Sequence, residues 1–134
     1  VGTDDPTAML CVPEAIRFMG SLLPGGWDEL RARNRGLVLT GRAGVCRALD
    51  IPPPCPDEMI GSLAAMPLPP GSADPPASPL YADPLQDLLL ERWGIEVPVI
   101  PWPAPPERLI RISAQLYNRP EEYELLADAL REMF

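Results

Sequence analysis

The sequence predicts an α+β fold in which a small antiparallel sheet of about three strands is covered on one face by helices. Residues 108–117 alternate between apolar and polar side chains, as a strand with one buried face does. A second strand pattern, in residues 95–102, precedes it across a short proline-rich turn, so the two strands should run antiparallel. Apolar residues recur at helical spacing in residues 27–49 and again from Pro120 onward.

Three further segments complete the predicted fold. A first helix is expected from about Pro13 to Leu22, because Pro24, Gly25 and Gly26 follow it directly. Residues 60–68 form a short strand candidate, and residues 83–94 form a helix with Asp83 before Pro84 and Gly94 as its end. In the long helix, Gly36, Gly41 and Gly44 either permit close approach of another element or mark a bend. The four predicted helices and three strands support the α+β class.

Composition and charge exclude several classes of function. The net charge is -8, so a nucleic-acid surface is not expected, and Arg31, Arg33 and Arg35 are interpreted as a solvated helix face. No transmembrane run or signal peptide is visible, which predicts a cytoplasmic protein without membrane contact. Three cysteines without ligand-like spacing, in a chain without histidine, predict that there is no metal site.

The most informative residue is Arg111, in the middle of the 108–117 strand. One side of this strand is apolar, whereas the other carries a guanidinium beside hydroxyl and amide groups; the two sides are Ile110, Ile112, Ala114 and Leu116, and Arg111, Ser113, Gln115 and Tyr117. Such a surface suits a cleft that receives an anion, most naturally a carboxylate. The alternative is a solvated strand face on which Arg111 pairs with a nearby acidic residue.

The motif RISAQLYN followed by Pro-Glu-Glu-Tyr resembles the C-terminal end of class V aminotransferase-fold enzymes, which use pyridoxal phosphate, and is most similar to isopenicillin N epimerase-like members. The resemblance implies the C-terminal small domain of a fold-type I enzyme, in which Arg111 binds the substrate carboxylate. It also implies that Gln115, Trp102 and Val99 lie near the substrate. The segment GTDDPTA resembles another part of the family, implying that Thr3 contacts the cofactor phosphate of a neighbouring subunit in a homodimer; otherwise Thr3 starts a turn or caps a helix.

The absence of lysine limits what this chain does in such an enzyme. Pyridoxal phosphate is held as a Schiff base on a lysine, but all eleven basic residues here are arginine, so a catalytic residue is not assigned and the chain alone should be inactive. Residues 1–24 are expected to belong to, or connect with, a large cofactor-binding domain, and residues 25–134 to form the small domain. The implied substrate is an amino acid or a molecule containing one, with epimerase, lyase and aminotransferase outcomes open. The alternative is an independent α+β interaction module without a cofactor.

Overall fold

The computed structural model of the chain describes residues 5–73 and 83–134. Contacts divide the chain into two compact units, one up to Arg33 and one from Asn34 to Phe134. The described elements, in chain order, are α1 (Thr7–Ser21), α2 (Gly26–Ala48), a 3-10 turn (Asp57–Met59), β1 (Leu63–Leu68), α3 (Pro84–Trp93), β2 (Val99–Pro101), β3 (Arg108–Ser113) and α4 (Pro120–Met133). The predicted α+β class is confirmed.

The sheet has three antiparallel strands in the order β1-β3-β2, so the strand that carries Arg111 lies in the middle. Ile110 is opposite both Met66 of β1 and Val99 of β2. Side chains alternate across a strand, and these three are therefore on the same face. They are all buried, which identifies this side as the core face.

The core of the unit from Asn34 to Phe134 lies between the core face of the sheet and the helices. Val38 and Val45 of α2, Leu89 of α3, and Leu126 and Leu130 of α4 are buried in the same hydrophobic cluster as the strand residues. The predicted coverage of one sheet face by the long and C-terminal helices is confirmed, and α3 contributes to it as well.

The ends of α3 and α4 follow from local chemistry. The Asp83 side chain accepts a hydrogen bond from the Leu85 amide (2.9 Å), Pro84 occupies the first turn, and Gly94 ends the helix in a left-handed conformation with φ 67°. Pro120 starts α4 in the same way, but Arg119 provides no side-chain cap. The Tyr123 hydroxyl instead donates to the Ser113 carbonyl, which joins the first turn of α4 to the end of β3.

Several predicted boundaries were wrong, and β1 begins at Leu63 rather than at Ile60. α1 begins at Thr7 rather than at Pro13, which lies inside the helix, because the Asp5 side chain accepts from the Thr7 amide (3.0 Å) and supports an earlier start. β2 is confined to Val99–Pro101, consistent with the lack of amide donors at Pro98, which precedes it, and at Pro101, its last residue. β3 ends at Ser113, beyond which the Gln115 amide donates to the Asn118 side chain (2.9 Å) in a turn.

Arg35 also differs from its predicted place on a solvated helix face. Its guanidinium donates to the carbonyls of Ile60 (3.0 Å) and Asp57 (2.7 Å). About two turns further along α2, the buried Arg42 donates to the Cys55 carbonyl (2.9 Å) and pairs with the Asp57 carboxylate. The two arginines therefore hold the chain that leads into β1 against α2.

Candidate functional site

Arg111 lies at the centre of the sheet with its side chain exposed, on the side opposite the core face. We call this side the open face; strand register places on it Leu63, Ala65, Pro67, Ile100, Leu109, Arg111 and Ser113. Ala65 is directly opposite Arg111. The backbone amide of Arg111 donates to the Pro98 carbonyl (3.1 Å), which fixes the strand at this position. The open face is thus apolar apart from a serine hydroxyl and one guanidinium.

Within residues 5–73 and 83–134, the Arg111 guanidinium makes no hydrogen bond or ion pair with another side chain. The contrast with Arg108 on the same strand is informative. Arg108 lies on the other side, pairs with Asp83 (2.8 Å) and donates to the Pro69 carbonyl (2.9 Å), with both charged side chains almost buried. A strand face that leaves Arg111 unpaired has positive charge available for an anionic ligand.

The other predicted site residues do not share the immediate surroundings of Arg111. Val99 is a core residue, 4% exposed, on the face opposite Arg111. Gln115 follows the end of β3, and its side-chain oxygen accepts from Asn34 (3.1 Å) and from the Leu116 amide (2.8 Å). Trp102 is 64% exposed, and its amide donates to the Glu107 carbonyl (2.9 Å), which places it roughly 13 Å along the sheet from Arg111 at about 3.3 Å per residue. Thr3 lies outside the described residues.

A cavity of about 230 Å³ adjoins Arg111, between the segment that precedes β2, the end of β3 and the start of α4. Its volume is below the roughly 300–1,000 Å³ of pockets that take drug-sized ligands, so it suits only a small molecule such as an amino acid. The lining consists of Ile95, Glu96, Val97, Pro98, Arg111, Ile112, Ser113, Tyr117, Asn118, Glu122, Tyr123 and Leu126. Of the predicted site residues, it includes Arg111 alone.

The charges around this cavity are mixed, because Glu96 and Glu122 line it together with Arg111. The Asn118 side-chain amide donates to Glu122 (2.8 Å) and orients that carboxylate. The pKa of Tyr123 is raised, mainly by burial and then by the negative charge of Glu122 and by Tyr117. The cavity therefore combines one cation with two carboxylates.

Sequence reasoning missed the polar contacts that support the end of β3. The buried Asn34 of α2 donates to Gln115, and Asn118 holds both the amide of Gln115 and the carboxylate of Glu122. These contacts connect residues far apart in sequence, and alternation along one strand does not reveal them. The described part of the chain contains no group of three or more potential metal-ligating side chains, and none of its helices is long and apolar enough to cross a membrane.

Comparison with known proteins places nearly the whole chain beside two kinds of enzyme. It is 38% identical to an isopenicillin N epimerase of Streptomyces clavuligerus over 96% of its length, and 34% identical to that of Amycolatopsis lactamdurans over 98%. It is 32% identical to a probable chloroplastic L-cysteine desulfhydrase of Arabidopsis thaliana over 97%. The chain spans only 28–30% of the length of these relatives. No protein-family model matches it.

Proposed function

Because the chain belongs to the class V aminotransferase-fold, pyridoxal-phosphate-dependent enzymes and corresponds to the C-terminal part of isopenicillin N epimerases and cysteine desulfhydrases, we propose that it is the small domain of such an enzyme. The enzyme acts at the α-carbon of an amino acid or of a substrate that contains one. Its reaction is proposed to be of an epimerase-like or a lyase-like type. The small domain binds and orients the substrate and does not carry out the bond-breaking step.

The observation that carries this proposal is the unpaired guanidinium of Arg111 at the centre of the open face. The neighbouring residues on that face, including Ala65 and Leu109, carry no charge, and within the described part of the chain neither carboxylate of the adjoining cavity forms an ion pair with the guanidinium. A carboxylate can therefore form two parallel hydrogen bonds with the planar guanidinium. Holding the carboxylate in one orientation also fixes the orientation of the bond that is to be broken at the adjacent α-carbon.

The residues of this chain do not fit a complete pyridoxal-phosphate site. The sequence has no lysine for the covalent link, and Thr3, predicted to contact the phosphate in trans, lies outside the described residues. When bound, the cofactor withdraws electrons from the α-carbon of the substrate. In the proposed enzyme it is held by the large domain, and this chain contributes the carboxylate contact.

The first helix supports the proposed association with a large domain. α1 has no buried residue among those described, and Met9, Leu10, Ile16 and Phe18 are more than half exposed. Apolar side chains in such number are typical of a surface that another part of the protein covers. Residues 1–24 are accordingly proposed to pack on the large domain. The enzyme is proposed to be a cytoplasmic homodimer; a monomer in sedimentation velocity would contradict the dimer.

Kinetics of Arg111 variants in the full-length enzyme test the proposal. Loss of charge-assisted hydrogen bonds worth about 1.5–3 kcal/mol should lower kcat/KM roughly 10- to 100-fold in Arg111→Ala. Arg111→Lys keeps the charge but loses the planar fork, so we expect a smaller decrease of about tenfold. Cofactor absorbance should be unchanged in both variants.

Arg119→Ala is the matched control, because Arg119 is also exposed, has no ion pair among the described residues and does not line the cavity. Its kcat/KM should stay within about twofold of the parent, as expected for a surface substitution. If Arg111→Ala keeps the parent kinetics, Arg111 is an ordinary solvated strand residue and the proposed role is wrong.

A further inference from the structure

Two carboxylates line the same cavity as Arg111, although they come from different parts of the chain. Glu96 lies in the segment before β2, whereas Glu122 lies in the first turn of α4. Neither forms an ion pair with Arg111 in the described residues. The Arg111 guanidinium is therefore available to bind a ligand, and the two glutamates add negative charge to the same cavity.

The two glutamates differ in how firmly they are held. Glu122 is exposed, lies in the first turn of α4 and accepts a hydrogen bond from the Asn118 side chain (2.8 Å). Glu96 is exposed and makes no side-chain hydrogen bond within residues 5–73 and 83–134. Its charge is therefore not neutralised by a described cation.

The cavity is small enough for these charges to act on any ligand inside it. Its volume of about 230 Å³ corresponds to a space roughly 8 Å across, about one screening length at physiological ionic strength. Burial raises the pKa of Tyr123 in the wall of this cavity, and the negative charge of Glu122 raises it further. A second carboxylate on a ligand that is held by Arg111 would meet this repulsion.

Building on the proposed role of Arg111, we propose that Glu96 and Glu122 determine substrate specificity by repelling a second carboxylate. The substrate class is then monocarboxylic amino acids with neutral or cationic side chains, and dicarboxylic amino acids are rejected. Arg111 binds the α-carboxylate, and the glutamates act on the side chain. Rejection by like charge is a common way to discriminate between ligands that share one recognised group.

L-Glutamine and L-glutamate form a suitable probe pair, because they have nearly the same shape and differ in side-chain charge. Their dissociation constants and kcat/KM values would be measured with the full-length, cofactor-loaded enzyme at low and at high salt. We expect the parent to favour L-glutamine several-fold at low salt, because the exposed carboxylates of Glu96 and Glu122 repel a second carboxylate most strongly when little salt screens them. High salt should reduce the preference.

The double variant Glu96→Gln/Glu122→Gln should bind both amino acids more tightly, because both carry the α-carboxylate, but the gain should be several-fold larger for L-glutamate, which carries a second carboxylate. Glu121→Gln is the matched control: it removes the preceding charge in the first turn of α4, at a residue that does not line the cavity. It should leave the preference unchanged.

The proposal is overturned if the parent binds both amino acids equally, if it binds neither, or if the double variant keeps the parent preference. These results are separate from a failure of the Arg111 proposal, which would appear as unchanged binding of L-glutamine in Arg111→Ala. In that case the glutamates could still discriminate by charge, but their ligand would not be oriented by Arg111.

Discussion

The ring of Tyr123 lies directly against the main chain of Gly41. A Cβ atom at residue 41 would be 2.7 Å from the ring Cδ1 and 3.1 Å from Cδ1 of Ile112. The same tyrosine donates through its hydroxyl to the Ser113 carbonyl. Gly41 therefore lets α4 approach α2 closely enough for its first turn to reach the end of β3, beside the Arg111 cavity.

Gly41→Ala should destabilise the protein. The added methyl group has no room beside the Tyr123 ring, and overpacking of this kind costs about 1–3 kcal/mol, of which the better helix propensity of alanine recovers up to about 1 kcal/mol. We expect a net loss of up to about 2 kcal/mol in the free energy of unfolding, measured by urea denaturation of the enzyme.

Gly36→Ala in the same helix is the matched control, because a Cβ there would meet nothing within 4 Å. It should stabilise the protein by about 0.5–1 kcal/mol through helix propensity. An equal response of the two variants would contradict the close-packing role of Gly41.

Asp83→Asn should reveal the cost of leaving Arg108 without its counter-ion. The side chains are only 10% and 12% exposed, and asparagine can still accept from the Leu85 amide and cap α3. We expect a loss of about 2–4 kcal/mol in the free energy of unfolding, because one partner of a buried ion pair is neutralised.

The double variant Asp83→Asn/Arg108→Met should recover part of this loss, since it removes the unpaired charge as well. Glu132→Gln, which breaks the exposed pair with Arg92, is the control and should change stability by less than about 0.5 kcal/mol. If Asp83→Asn is as mild as Glu132→Gln, the Arg108–Asp83 pair does not carry the stability assigned to it.

The sequence predicted the fold more successfully than the details of the site. Alternation around Ile110 and Ile112 identified the core face of β3, and the proline and glycine at the ends of residues 84–94 marked α3. These features are local, because a strand or helix terminus is encoded by residues next to one another. The position of β3 between β1 and β2 was not predicted, since pairing with β1 joins segments separated by a long stretch of chain.

The predicted strand length explains the misplaced neighbours of Arg111. The alternation of apolar and polar residues continued through Gln115. The Gln115 amide, however, donates a hydrogen bond to the Asn118 side chain, and the chain turns away from the sheet there. Val99 alternates correctly along β2, yet its pairing with Ile110 places it on the core face. Such side-chain hydrogen bonds and cross-strand registers depend on tertiary contacts, which periodicity does not contain.

The chain alone should not bind pyridoxal phosphate covalently, because none of its 134 residues is a lysine. In a polypeptide of this sequence, which has no lysine, the primary amine that can form a Schiff base is the N-terminal α-amino group. Acetylation would block it. After incubation with the cofactor, borohydride reduction and gel filtration, mass spectrometry should find no adduct on the acetylated chain.

Arg119→Lys supplies a matched positive control, since it adds a single exposed amine without altering a described ion pair. An adduct on the acetylated parent would contradict the assignment of the covalent link to another part of the enzyme. An adduct on Arg119→Lys alone would show that the parent chain fails to form the covalent link because it has no lysine.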